Sequence, residues 1–363
     1  MNDVSGAPSH PGEPESKPDS PVSDLPRSAG AQARRPKGWR LVGLIASVAL
    51  FGLALFVMAR TLSTIKLADL REAIRATSAE QVTLAVLCAI GSYLALTGYD
   101  AVVLRHLKRK MSYLVTALAS FTSFAISFTL GFPLVTGGTV RYWIYSQHGL
   151  GPGDVARITV IGGVTFWLGM GLVLGVGLVA QAEMISTLNL VLPSLNRALG
   201  LGVLGLVVAY FAVVSSGRRE LTVQGFRLRM PGFRITLAQT TLGVLDVCMG
   251  AAVLYQLLPA GHGVDFLSFA AVYSFACILG IASHAPGGIG VFDATMLKIM
   301  PAPSQEAMLA SLLLFRIFYY VAPFILALAL LGANEAVRRW RYLSEIVSRG
   351  DEGESHLSPP FAR

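Results

Sequence analysis

Five ionisable residues, Asp100, Arg141, Asp246, Asp293 and Arg316, lie in or beside stretches that otherwise carry no charge. A charge at the centre of a bilayer costs at least about 2.5–3.5 kcal/mol on insertion scales. Such side chains therefore face one another or a polar cavity. The chemistry open to them is narrow. A guanidinium presents a planar fork of donors that fits the oxygens of a carboxylate or a phosphate. A carboxylate can hold that guanidinium or take up a proton. Gly137 and Gly138 stand just before Arg141, and Pro286, Gly287, Gly288 and Gly290 stand just before Asp293. Glycine and proline are poor helix residues, so two of the charges are expected at breaks in the backbone. His284 lies at the second break, as a group that titrates near neutral pH or as a hydrogen-bonded structural histidine. Together these residues would line a polar cavity for a charged headgroup. Alternatively, Asp293 and His284 would serve as acid and base in a group transfer.

The chain that must position them is 53% hydrophobic and only 14% charged over 363 residues, with a mean hydropathy of +0.60. Soluble domains carry about a quarter charged residues. The composition excludes a soluble globular protein and implies an all-α, polytopic helical membrane protein. A net charge of +8 in such a chain reports cytoplasmic loops and anionic headgroups, not nucleic acid. Cys88, Cys248 and Cys277 lie in separate apolar runs, which is neither a disulfide framework nor a metal pattern. No metal, no cofactor and no catalytic apparatus of soluble type is expected.

In chain order, residues 1–38 are rich in Pro, Ser, Gly and charge and are expected to form a disordered cytoplasmic tail. Arg27, Arg34, Arg35, Lys37 and Arg40 precede the first apolar run, Leu41–Ala59, and place the N-terminus in the cytoplasm. Residues 62–80 have the spacing of a short amphipathic helix on the outer surface. Apolar runs then cover 82–104, 111–140, 158–182, 198–217, 235–258, 266–292 and 306–334. Basic clusters at 105–110, at 218–234 and after Arg338 mark the cytoplasm again. A small hairpin is expected around Gln224-Gly225. One polytopic domain would span 39–340, followed by a cytoplasmic tail over 341–363.

Between two cytoplasmic clusters the chain crosses the membrane an even number of times. With 158–182 and 198–217 as ordinary spans, 111–150 must return to the side it left. The same holds for 266–300 between the last two clusters. The expectation is about six full spans plus two re-entrant Gly-Gly hairpins, entering from opposite sides. That is an inverted repeat of about 81–182 and 235–334. Arg141 would stand opposite Asp293, or Arg316 would instead hold Asp293 or Asp246. Half-helix N-termini after Gly138 and Gly290 would offer amides to an anion. The plainer alternatives are that Gly-Gly permits close helix packing, that the charges are structural ion pairs, and that Asp100 sits at the interface in water.

These residues also carry a resemblance. Pro286-Gly287-Gly288-Ile289-Gly290-Val291-Phe292-Asp293 resembles the Pro-Gly-Gly-hydrophobic-Gly-x-Phe-Glu signature of the lysyl-phosphatidylglycerol synthase transmembrane-region family, as in the membrane part of the multiple peptide resistance factor. Gly98-Tyr99-Asp100 is similar to that family's Tyr-Asp motif, and Thr136-Gly137-Gly138-Thr139-Val140-Arg141-Tyr142 to its Gly-Gly-x-Val-Arg-Tyr motif. Phe315-Arg316-Ile317-Phe318-Tyr319-Tyr320 with Pro323 is similar to its Tyr-Arg-x-x-Tyr…Pro segment. The resemblance covers about residues 40–340, and Asp293 replaces the usual Glu. It implies movement of lipid across the bacterial inner membrane. The soluble synthase domain found beside this region in the resistance factor is expected to be absent, since only residues 351–363 follow Gly350.

The expected function is therefore an inner-membrane lipid translocase, not an enzyme, with both termini cytoplasmic. Its ligand would be a phospholipid, with aminoacylated phosphatidylglycerol and hopanoid-type lipids both left open. The site would comprise Asp100, Gly137, Gly138, Arg141, Asp246, His284, Pro286, Gly287, Gly288, Gly290, Asp293 and Arg316. The competing readings are a membrane-embedded headgroup transferase and a lipid-binding partner of a separate synthase. Self-association is left open.

Overall fold

The computed structural model describes Arg75 and residues 77–355, apart from 132, 217–219, 224–225, 230 and 260, and for 220–229 and 341–355 the backbone alone. The N-terminal tail, the run 41–59, most of the amphipathic stretch 62–80 and the tip Gln224-Gly225 lie outside the described residues.

Short polar residues set where several apolar runs become helices. Ser78 opens α1 (Ala79–His106) with a capping box: its hydroxyl accepts from the Gln81 amide while the Gln81 side chain accepts from its own. Ser112 opens α2 (Tyr113–Leu130), which ends at Gly131 with φ 78°. Pro133 then starts α3 (Pro133–Tyr145), where its missing N–H is no loss. After α4 (Pro152–Ala180), α5 (Ala182–Asn189) and α6 (Pro193–Ser215), strands β1 (Glu220–Val223) and β2 (Phe226–Arg229) pair antiparallel. This pair stands where the hairpin was expected and is the non-helical exception in an otherwise all-α fold. Then come α7 (Phe233–Leu257), α8 (Phe266–Ala282), α9 (Val291–Ile299) and α10 (Gln305–Arg316). A π-helical turn, Ile317–Val321, joins α10 to α11 (Ala322–Ser355). Pro323 cannot supply the amide hydrogen that would bond the Tyr319 carbonyl, and the Tyr93 hydroxyl donates to that oxygen instead, at 3.1 Å.

Among the described residues six helices are long and apolar enough to cross a membrane: 79–106, 113–130, 152–180, 193–215, 233–257 and 305–340. The chain is a polytopic helical membrane protein. Five of them are spans counted from the sequence and the sixth is α2, while the expected span 41–59 lies outside the described residues. At about 1.5 Å per residue, the 18 residues of α2 reach nearly the depth of a hydrocarbon core of about 30 Å. The chain doubles back only after that, through the shorter α3.

The packing repeats with its partners exchanged. α2 lies on α1 as α8 lies on α7, and α3 folds back on α2 as α9 does on α8. α4 packs on α8 from the other half, and α11 packs on α2 in return. Helices α4 and α7 cross in backbone contact: a Cβ on Gly169 would collide with the Gly243 carbonyl. The site is built where the two halves meet.

Candidate functional site

The first broken region is closed by an ion pair. Asp100 on α1 is fully buried and Arg141 on α3 is 3% exposed. The guanidinium grips the carboxylate with two prongs, Nε to Oδ2 at 2.9 Å and Nη2 to Oδ1 at 3.0 Å. The Tyr145 hydroxyl, one turn further along α3, donates to Asp100 Oδ2 at 2.8 Å. The Phe124 ring lies under the guanidinium, 4.6 Å from centroid to Cζ, a cation–π contact. Three expectations are corrected here. Asp100 is not at a wet interface. Arg141 faces Asp100 and not Asp293. Gly137-Gly138 is no break, because both residues lie inside α3. The break is at Gly131, where the left-handed φ and Pro133 end one helix and start another. Hence no half-helix N-terminus follows Gly138. Gly137 serves close packing: a Cβ there would meet Ser127 Oγ at 2.8 Å and Ser123 Oγ at 3.0 Å. Ser123 Oγ donates to the Gly137 carbonyl at 2.7 Å, which ties α3 back to α2.

The second broken region is held by a pair that stays open. After α8 the chain runs through His284 (φ 55°) and a 3₁₀ turn, Pro286–Gly288, with φ 60° at Gly287 and 64° at Gly288, to Gly290 at 87°. At Gly287, Gly288 and Gly290 these positive angles favour glycine, while His284 adopts one as a side-chain-bearing residue. Asp293, in the first turn of α9, accepts from the Gly290 amide at 3.0 Å. The expected N-terminus after Gly290 exists, and this chain's own carboxylate caps it. Arg316, at the end of α10, donates from Nη2 to Asp293 Oδ2 at 2.5 Å and from Nε to Oδ1 at 3.2 Å. Its Nη1 donates to the Gly287 carbonyl at 3.3 Å, and Tyr320 lies beside it. Of the two partners left open for Arg316, the structure selects Asp293. The pair is 12% and 19% exposed and lies at a cleft lined by Thr129, Gly287, Ile289, Arg316, Tyr320 and Phe324. The two breaks meet at this cleft. A Cβ on Gly131 would touch Pro286 Cα at 3.7 Å, and one on Gly287 would touch the Phe128 carbonyl at 3.5 Å. His284 lies on an exposed turn with Nδ1 2.9 Å from the Ala282 carbonyl.

Asp246 forms a third, separate cluster. It is 1% exposed on α7. Ser92 Oγ donates to its Oδ1 at 2.6 Å and Tyr99 OH to its Oδ2 at 3.0 Å. Tyr319 OH lies 2.8 Å from Ser92 Oγ. The structure thus brings together Pro286, Gly287, Gly288, Gly290, Asp293 and Arg316 in one place, and Asp100, Gly137 and Arg141 in another. Sequence reasoning missed Ser92, Tyr93, Tyr99, Tyr145 and Tyr319 as partners. The one local signal was Pro323, four residues after Tyr319, which marks an interrupted helix.

Arg316 is the group with chemistry to offer. A guanidinium carries five N–H donors, and three point at Asp293 and Gly287. Its other two N–H groups make none of these three bonds, and its side chain lines the cleft.

The chain matches the family described as "Lysylphosphatidylglycerol synthase TM region" over residues 44–327. It is 30% identical over 251 residues to the inner membrane protein YbhN of Escherichia coli, covering 67% of this chain and 78% of that protein. It is 29% identical over 252 residues to an uncharacterized protein of Synechocystis sp., covering 69% of this chain and 78% of that protein. A phosphatidylglycerol lysyltransferase of Staphylococcus aureus is 38% identical over 96 residues, which is 25% of this chain and 11% of that protein.

Proposed function

The chain belongs to the lysylphosphatidylglycerol synthase TM region family, and we propose that it is a translocase of the bacterial inner membrane that moves a phospholipid between leaflets. The observation that carries this reading is the half-open Arg316–Asp293 pair, set in a cleft where two backbone breaks touch. The headgroup phosphate takes the outward donors of Arg316. An ammonium on the same headgroup, as in an aminoacylated or zwitterionic lipid, takes Asp293. The acyl chains stay in the bilayer. The two halves, 79–180 and 233–340, act as repeats that rock about the cleft, so that it opens to one leaflet and then the other. The basic clusters put both termini in the cytoplasm.

The transferase reading is less well supported. Both carboxylate oxygens of Asp293 already accept from Arg316, and Oδ2 accepts from the Gly290 amide as well. That is the environment of a held charge, not of a free base. The test is a dithionite-quenching assay with fluorescent phosphatidylglycerol, phosphatidylethanolamine and lysyl-phosphatidylglycerol in vesicles. Wild-type protein exposes inner-leaflet probe, and Arg316→Ala slows exposure about tenfold or more, since a charged hydrogen bond contributes about 1.5–3 kcal/mol. Unchanged rates in Arg316→Ala would remove the site assignment. Chemical conversion of the probe lipid would establish the transferase instead.

A further inference from the structure

Asp246 takes no part in the cleft, and its surroundings are unusual for a carboxylate at membrane depth. Among the described residues no Lys, Arg or His forms an ion pair with it. The titratable groups that face it are all neutral hydroxyls and thiols. Helix α1 presents Tyr93 and Tyr99, α8 presents Cys277 and, one turn further along α7 at Gly250, Tyr273, the π turn presents Tyr319, and α7 itself presents Cys248. On α4, Thr165 and Gly169 lie against Gly243 of α7. The charged residues of α10 are engaged or exposed, Arg316 on Asp293 and Glu306 at the surface. A carboxyl group with no counter-ion in such a medium is held by hydrogen bonds alone, here from Ser92 and Tyr99.

Two further observations connect this group to the rest of the molecule. Thr236, Gln239, Gly243 and Asp246 recur at intervals of three and four, so they lie on one face of α7. The stripe runs about 15 Å, at about 1.5 Å per residue, from Asp246 to the end of α7 that adjoins the basic loop. Thr236 and Gln239 are fully buried, yet Thr236 Oγ1 and both polar atoms of the Gln239 amide have no hydrogen-bond partner. Buried polar atoms of this kind are the ones that internal water serves. On the facing α4, one turn before Thr165, Gly162 is buried and has no heavy atom of another element within 4 Å of where a Cβ would sit, so there is room. At the other end, Ser92 links Asp246 to the Tyr319 hydroxyl. Tyr319 belongs to the π turn that begins directly after Arg316, and π turns are points where a helix can change register.

We propose that Asp246 is a proton-exchange site, reached along α7 past Thr236 and Gln239, and linked through Ser92 and Tyr319 to the turn that carries Arg316. The ligand is a proton. The carboxylic acid releases it to water at the α7 end and becomes a carboxylate, and it recovers the proton by the same route. In the ionised state Ser92 and Tyr99 must both donate to Asp246, which obliges Tyr319 to donate to Ser92. In the neutral state that chain can reverse. The hydroxyl network therefore biases the π turn. The consequence for lipid movement rests on the translocase reading, but the proton exchange does not.

The experiment is infrared difference spectroscopy on the full chain in phosphatidylglycerol vesicles across a pH step, alongside the dithionite assay on the same vesicles. Wild type is expected to show the C=O stretch of a neutral carboxylic acid that grows on acidification and shifts in D2O. Asp246→Asn loses that band, and Gln239→Leu slows its rise several-fold. Should Asp246→Asn fail to fold, Tyr99→Phe, which removes one donor to the carboxylate, must move the pH at which the band appears toward alkaline values. A titrating band that survives Asp246→Asn overturns the proposal, as does its absence from wild type or an unmoved midpoint in Tyr99→Phe. A band without lipid movement upholds the proton site and removes the translocase reading. Lipid movement indifferent to pH, without a band, does the reverse.

Discussion

The arginine–aspartate pairs of the two broken regions use the same chemistry in different surroundings. Around Arg141 and Asp100 every side is closed: a two-pronged grip, a tyrosine hydroxyl on the same carboxylate oxygen, a phenylalanine ring beneath, and 3% and 0% exposure. Around Arg316 and Asp293 the grip is again two-pronged, but the exposures are 12% and 19% and the pair borders a cleft. A pair removed from solvent on all sides fixes geometry at a desolvation cost and binds nothing else. A pair with one side open keeps part of its hydrogen-bonding capacity for a ligand. Arg141 pins α3 to α1, so the first region is a wall. The second region, whose turn depends on three glycines at positive φ, is the one that borders a cleft.

The largest expected difference between them is in folding. Arg141→Ala leaves Asp100 buried without its partner and should cost about 3–5 kcal/mol, read as a large fall in thermal unfolding temperature in detergent. Arg316→Ala removes a partly solvated partner and should cost much less stability while slowing lipid movement about tenfold or more. Equal losses of stability in the two variants would break the contrast.

Arg316→Lys sharpens the same contrast from the functional side. Lysine keeps the charge but loses the planar fork, so it can hold Asp293 or meet a phosphate but cannot do both with two prongs. Dithionite-measured lipid movement should fall about tenfold, for a loss of about 1.5 kcal/mol, while thermal stability changes little. Full activity in Arg316→Lys would mean that the fork is not used on the ligand.

The charges at membrane depth and the two broken regions were legible in the sequence, because a charge or a Pro-Gly-Gly within an apolar run has few explanations. The pairing was not legible. Arg141 follows the real break at Gly131 by ten residues, about 15 Å of helix at about 1.5 Å per residue, and this carries it away from Asp293 and down to Asp100. The pattern of glycines suggested a break at Gly137-Gly138 because glycine is costly in a helix. Inside α3 that cost is offset by the approach of Ser123 and Ser127, which a side chain would prevent. The stretch Gly131–Arg141 reads as broken backbone throughout, and what singles out Gly131 within it is Pro133 two residues on. The hydroxyl network of Asp246 was out of reach for another reason. Ser92, Tyr99 and Tyr319 come from distant parts of the chain, and single serines and tyrosines in apolar helices are unremarkable.

The role of Gly137 gives the third test. Gly137→Ala places a methyl 2.8 Å from Ser127 Oγ and 3.2 Å from Arg141 Nη1, and overpacking of this kind costs about 1–3 kcal/mol. In the other region Gly290→Ala meets no atom within 4 Å but forces φ 87° on a side chain, a backbone strain of about 1–3 kcal/mol. The two costs are similar and arise differently. Pairing Gly137→Ala with Ser127→Ala should recover stability in the wall, whereas no neighbouring deletion should rescue Gly290→Ala. Rescue of both, or of neither, would show that the two glycines are not distinguished by packing.

The smallest expected effect concerns how each hairpin is entered. Helix α2 is capped by the Ser112 hydroxyl, which accepts from the Val115 amide at 3.4 Å. Helix α8 is capped by Asp265, outside the membrane-spanning segments, which accepts from the Leu267 and Ser268 amides at 3.0 Å and from the Ser268 hydroxyl at 2.6 Å. Partial burial pushes the Asp265 carboxyl up, but the hydrogen bonds from Ser268 and Leu267 outweigh it and hold the group below its ordinary value. A depressed folded-state pKa means that the stabilisation is present above the unfolded value of about 3.9 and is lost as pH falls through the folded value. Asp265→Ala should cost about 1 kcal/mol at neutral pH and about nothing in strong acid. Ser112→Ala should cost a similar or smaller amount at every pH, since a hydroxyl does not titrate there. Hydrogen exchange at Leu267 and Ser268, compared with Val115 over an acid titration, reads the difference directly. If the second hairpin does not loosen before the first on acidification, the acidic cap does not distinguish their entries.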